Sequence, residues 1–161
     1  MNVDQLSPHF SLAELTRTSV PIDNGPGANA HERLVRLACD FLEPLRAQFG
    51  PLLVTSGYRS PALQEELRRR GRPTAQDSAH CYGCAADLVP VDPSVSLDAM
   101  VAWLSLKSRL PFDQVILEHA GTDDWIHLGM LRPNHEAHPR RQVLRFDNGT
   151  YSVWVPSTAV A

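Results

Sequence analysis

The stretch His80-Cys81-Tyr82-Gly83-Cys84-Ala85-Ala86-Asp87 restricts what this chain can fold into more than any other. On an uninterrupted helix, seven residues would separate the two end side chains by about 10.5 Å along the axis, too far for both to serve one centre. Gly83 and the small residues after it permit a sharp turn that returns Asp87 beside His80 and let backbone pass close by. Further on, Asp124-Trp125-Ile126-His127 begins a strand in which Ile126, Leu128 and Met130 read as one face and Trp125, His127 and Gly129 as the other. His127 is then mounted rigidly, its neighbours held in the core.

Two histidines and a carboxylate form the ligand set of a hydrolytic zinc centre, which leaves one coordination position for water whose pKa falls towards roughly 7. The plain alternative makes His80 a loop histidine, His127 a strand histidine and Asp87 a cap or ion-pair partner. Hydrolysis also needs a carboxylate to relay a proton, and two are placed for it. Glu118 closes the apolar run Val115-Ile116-Leu117, and Asp124 stands three residues before His127. Arg59 follows a turn at Gly57-Tyr58, where a guanidinium either clamps substrate charge or simply lies on the surface. Ser56, Tyr58 and Gln64 are candidates for the same wall.

The same ligand types suit non-haem iron, but the close His-x-Asp pair usual in such oxygenases is absent. Of the other histidines, His119 is expected at the cleft border. His9 and His31 are expected to pack or cap, and His135 and His138 lie in a proline-containing connection with no metal role. Cys81 and Cys84 form a lone CxxC, too weak a signal for redox chemistry or structural zinc, and read as small side chains packed beside His80. Cys39 reads as a small buried hydrophobe among Leu34, Leu37, Leu42 and Leu45.

A chain of 161 residues fits one domain spanning 1–161 that buries roughly two thirds of its unfolded surface, so no metal is needed merely to fold it. Its formal charge of −3, from 15 basic and 18 acidic residues, gives no reason to expect a nucleic-acid partner. The Arg68-Arg69-Arg70 cluster is read as the solvated end of a helix. With no apolar leader at the start and no membrane-length apolar run, the product is expected to be soluble and made in the cytoplasm, with a monomer favoured.

Ser11 and Glu14 have capping-box spacing and open a short helix, and 19–29 reads as a surface loop. An apolar stripe from His31 to about Phe49 marks a helix stopped by Gly50-Pro51. Leu52–Thr55 is a short strand, Ser60-Pro61 opens a helix to about Arg70, and Ser96 caps another over Leu97–Leu106. Strands follow at Asp87–Pro90, Asp113–Glu118 and Trp125–Met130. A hairpin of Arg141–Phe146 with Tyr151–Val155 turns at Asp147-Asn148-Gly149. Without regular strand-helix alternation or a glycine-rich phosphate loop, the expected fold is α+β, a mostly antiparallel sheet covered by helices on one face.

At these residues the chain resembles the peptidase M15 family of zinc D-Ala-D-Ala carboxypeptidases and peptidoglycan endopeptidases, particularly its compact branch, often found as a C-terminal catalytic domain. The marks are Ser56-Gly57-Tyr58-Arg59-Ser60, the SxHxxGxAxD spacing of Ser78, His80, Gly83, Ala85 and Asp87, Phe112 to Glu118, and Trp125-Ile126-His127. Phe10 to Leu15 is similar to the family's opening. The resemblance implies Zn2+ on His80, Asp87 and His127, Arg59 near the substrate, and a peptide of the bacterial cell wall cut beside a D-amino acid. Better-studied branches carry an acid three positions before the last ligand and tryptophan immediately before it; here Asp124 has the spacing but Trp125 is displaced by one. The compact branch implies Glu118 as base. Carboxypeptidase and endopeptidase action both fit, small proteins of this kind occur in phages and prophages, and the alternative is a non-catalytic wall-binding or virion module.

Overall fold

The computed structural model describes residues 4–72 and 74–156. Ser11 caps α1 (Leu12–Leu15) by accepting from the Glu14 N–H, as its spacing predicts. The expected long helix is present as α2 (Ala28–Leu37) and α3 (Glu43–Phe49), joined by one π-helical stretch, Ala38–Leu42. Pro44 supplies a physical reason. It has no N–H to give and its ring would meet the carbonyl four residues back, so a wider turn, with Glu43 N–H reaching Ala38, admits it. The buried stripe runs through Leu34, Leu37, Ala38, Phe41, Leu42 and Leu45, as expected. Cys39 does not belong to it: the residue is exposed, a correction to its reading as a core side chain.

Six strands follow in the spatial order β1-β2-β4-β3-β5-β6: β1 Leu52–Ser56, β2 Ala85–Pro90, β3 Phe112–Ala120, β4 Asp123–Met130, β5 Gln142–Asp147 and β6 Thr150–Val153. Every ladder is antiparallel except β3–β5, which is parallel. The sheet is thus mostly antiparallel, as expected, with one parallel ladder. Buried Asp113 fixes this pairing, because its carboxylate takes the Arg140 backbone N–H at 2.9 Å and the guanidinium at 2.6 Å, delivering β5 alongside the start of β3. The closing hairpin turns at Asn148-Gly149, both at positive φ (44° and 100°), the pair that matches strand twist in a two-residue turn.

One sheet face, with Val54, Ala86, Leu88, Val115, Leu117, Ile126 and Leu128, packs in a single core with the α2–α3 rod and α5 (Leu97–Leu106). Ser96 caps α5 and Ser60 caps α4 (Pro61–Arg69), each through its hydroxyl. Together these elements make one α+β domain. Among the described residues no helix is long and apolar enough to cross a membrane.

Candidate metal centre

On the sheet face opposite the core, the ladders align one residue from each strand in a single row: Ser56, Asp87, His127, Ile116, Leu144 and Val153. Asp87 and His127 are direct cross-strand partners, so period-two alternation alone puts a carboxylate beside an imidazole. Ser56 would point into the core with Leu52 and Val54, but a bulge at Thr55 shifts the register and turns it to this face.

His80 comes from the 3₁₀ turn Ala79–Tyr82, which Gly83 ends at φ 72° in the left-handed region. A Cβ there would also lie 2.6 Å from the Ala30 carbonyl oxygen, so the turn needs glycine for both conformation and space. The return that the sequence suggested does occur, with Asp87 coming back to His80. Gly57 is constrained differently: a Cβ would stand 2.2 Å from the Leu15 carbonyl oxygen, so α1 lies hard against the turn before Arg59. The Gly57 carbonyl in turn accepts from His80 Nδ1–H at 2.7 Å, which leaves the Nε2 lone pair free.

His80 Nε2, Asp87 Oδ1 and His127 Nδ1 form a triangle with sides of 3.2, 3.0 and 3.2 Å. Two neutral imidazoles and one carboxylate are zinc donors, and a tetrahedral ion with bonds of about 2.05 Å has edges of about 3.3 Å, so the donor set and its spacing fit. Burial of all three residues (3–8% exposed) keeps bulk water from competing. It also pushes the His80 pKa down, helped by Arg59 and His127, which favours the neutral ligand form. Burial alone would raise Asp87, yet His80 and His127 hold it well below the usual carboxylate range, anionic throughout. This cluster is able to coordinate a metal ion.

Arg59 Nη2 lies 3.0 Å from Ser56 Oγ and 3.4 Å from Asp87 Oδ2, the oxygen turned away from the triangle. Its turn is held by Asn24, within the 19–29 segment expected to be a surface loop. Asn24 is buried, donates to the carbonyls of Thr16 and Tyr58, and accepts from the Ser60 N–H at 2.6 Å. The only advance signal was its place beside prolines and glycines, which does not distinguish a stitching asparagine from an ordinary turn residue. Gln64 donates to the Ala75 carbonyl, tying α4 to the following loop.

The two carboxylates read as possible bases lie on different faces. Glu118 pairs with Trp125, two residues along from the Ile116–His127 pair, and so shares the face of the triangle. Desolvation and the Asp87 charge raise its pKa to about 6, against the pull of His127 and Arg59. The buried Trp125 indole N–H beside it has no hydrogen-bond partner. Asp124, an odd number of residues from His127, faces the helical side, where it pairs with His119 Nδ1. His119 and Asp124 line a cavity of about 210 Å³ with Leu97, Asp98, Leu117, Glu118 and Arg145.

His9 is exposed and pairs with Glu43 through Nδ1 at 2.8 Å rather than packing in the core. The three cysteines are free thiols, and burial pushes Cys84 up to about 11 and raises Cys81 as well, the opposite of redox activation.

No curated protein matches the chain. A family model described as Peptidase M15 matches residues 8–129. That segment begins before α1, which braces Gly57, and ends just past His127, so it contains every residue of the triangle together with Arg59 and Glu118. On this match and this donor set, the chain belongs to the peptidase M15 family and is a zinc metallopeptidase.

Proposed function

We propose that this peptidase cleaves peptides of the bacterial cell wall at a bond next to a D-amino acid, with Zn2+ on His80 Nε2, Asp87 Oδ1 and His127 Nδ1. Zinc held there supplies a Lewis acid that polarises the scissile carbonyl and acidifies water. The protein's own groups do the rest. Glu118 accepts the proton of the attacking water and passes it to the leaving amine, a role that suits a carboxylate whose pKa is raised to about 6. Arg59 stabilises negative charge that develops at the carbonyl oxygen, and its bond to Ser56 keeps the guanidinium oriented. Gly57 fixes the His80 tautomer, while Arg59 occupies the second oxygen of Asp87.

The observation that carries this reading is the common face of Glu118, Asp87 and His127. It supports Glu118 over Asp124 as the base, since Asp124 is engaged by His119 on the helical side. The substrate class rests on the family to which the chain belongs. The test is release of free amine from purified wall peptides by zinc-loaded protein. Binding without release would instead support a non-catalytic wall-binding module, and hydrolysis restricted to all-L peptides would overturn the D-amino acid preference.

A further inference from the structure

Glu118 and Trp125 are direct partners in the β3–β4 ladder and project side by side from the metal face. The Cβ atoms of such a pair stand about 4.5–5.5 Å apart, within reach of an indole and a glutamate. Trp125 is half-buried as a residue, yet its indole N–H is sealed from solvent and has no hydrogen-bond partner. A buried donor without an acceptor is costly, and phenylalanine would fill the same place without that cost. Folded proteins rarely carry such a group without a use for it.

Among the described residues few acceptors share its face. Asp123, two residues back along β4, is exposed at the strand entry, with its carboxylate in water. Asp87 is committed on both oxygens, Oδ1 to the ligand triangle and Oδ2 to Arg59. Val89, one step past the last β2–β4 pair, and Leu53 opposite it have no acceptor side chain. That leaves Glu118. Its neighbouring donors are engaged elsewhere, since Arg59 bonds Ser56 and Asp87 while His127 belongs to the triangle. Phe146, its partner on β5, has no donor to give. A donor without an acceptor and a carboxylate without a donor thus stand opposite one another.

We propose that Trp125 is the positioning residue for the base: its indole Nε1–H donates to one oxygen of the Glu118 carboxylate in the zinc-loaded protein and leaves the other oxygen turned to the attacking water. The inference rests on the reading of Glu118 as base and adds the group that aims it. A glutamate side chain is flexible, and one contact at its carboxylate removes freedom that would otherwise be lost at each turnover. The bond is charge-assisted, hence stronger than a neutral one. Trp125 also stands two residues before His127 on the same face, so one strand fixes both the metal ligand and the donor that aims the base.

The test reads the indole directly. In proton–nitrogen NMR spectra of zinc-loaded protein, Trp103 and Trp154 serve as references on the helical side, where Trp103 packs edge-on against Phe49 and Trp154 donates to Asp98. Glu118→Ala should move the Trp125 indole proton upfield by more than it moves either reference. Trp125→Phe keeps an aromatic ring and removes the donor. It should retain zinc and lower kcat about tenfold to a hundredfold, with KM within about twofold of wild type. In a Glu118→Ala background the same substitution should cost nothing further, because no carboxylate remains to aim.

An indole proton that does not respond to Glu118→Ala overturns the proposal, as does full kcat in Trp125→Phe, a loss carried by KM, or a loss of zinc. An equal further loss in the Glu118→Ala background overturns it too, since a merely structural tryptophan would act alike in both. If Trp125→Phe does not fold, the Glu118→Ala spectrum decides alone. Undiminished cleavage by Glu118→Gln removes the base reading and this proposal with it, whereas a silent indole beside an inactive Glu118→Gln overturns the proposal alone.

Discussion

Asp87 and His127 stand opposite one another in the β2–β4 ladder, with Asp87 Oδ1 3.0 Å from His127 Nδ1. This cross-strand pair ties the site to the register of the sheet. A slip by one residue would send both side chains into the core and expose Leu88 and Ile126, so burial of the apolar face holds the two ligands together.

Replacing Glu118 by Gln should retain zinc and lower kcat by two to four orders of magnitude, about the contribution of a positioned acid-base group. Asp124→Asn should reduce it by less than about threefold, because that carboxylate serves His119. Steady-state cleavage of a wall peptide, with metal content measured on the same samples, checks both.

The pH dependence follows from the same carboxyl. A base must be deprotonated to act, so activity should rise with pH through the Glu118 pKa. Burial raises that pKa to about 6 and a bound cation pulls it down, so the acid limb should lie at or below about 6. For stability the sign is reversed. A carboxyl with a raised pKa in the folded state favours folding at low pH, and this advantage is lost as pH rises from 4.5 through about 6. Metal-free Glu118→Gln should therefore unfold at higher denaturant than wild type at pH 7.5, by at most about 2 kcal/mol, and the gap should shrink at pH 4.5.

Gly83→Ala should destabilise the fold by about 2 kcal/mol or more, since it combines φ 72° with a Cβ 2.6 Å from the Ala30 oxygen. It should also weaken zinc binding, because the 3₁₀ turn carrying His80 must shift. Urea unfolding and a zinc competition titration read the two effects separately.

Asn24→Ala leaves two carbonyls and the Ser60 N–H without their partner, and should cost about 2–3 kcal/mol. Its catalytic signature should be a fall in kcat/KM with zinc content preserved, since Asn24 steadies the turn before α4 and not the triangle.

Much of this arrangement was readable from local chemistry. Ser60-Pro61, Ser96 and Asn148-Gly149 each carry their own signal for a cap or turn, and Gly83 announced the return of Asp87 to His80. What escaped depends on partners distant in sequence. The parallel β3–β5 ladder is secured by Asp113 and Arg140, 27 residues apart, and the Thr55 bulge shows only against β2. A strand starting at Trp125, as the sequence suggests, leaves Asp124 outside the alternation. With β4 beginning at Asp123, alternation puts it on the helical side. Cys39 has apolar neighbours in sequence, yet the residue is exposed.

The central claim is that His80, Asp87 and His127 hold zinc for hydrolysis driven by Glu118. The most direct measurement is zinc stoichiometry with wall-peptide cleavage on wild type, His127→Ala and Glu118→Gln, purified without chelator. The account predicts one zinc per chain with cleavage, loss of both, and zinc without cleavage, respectively. Full zinc in His127→Ala, or undiminished cleavage by Glu118→Gln, would contradict it.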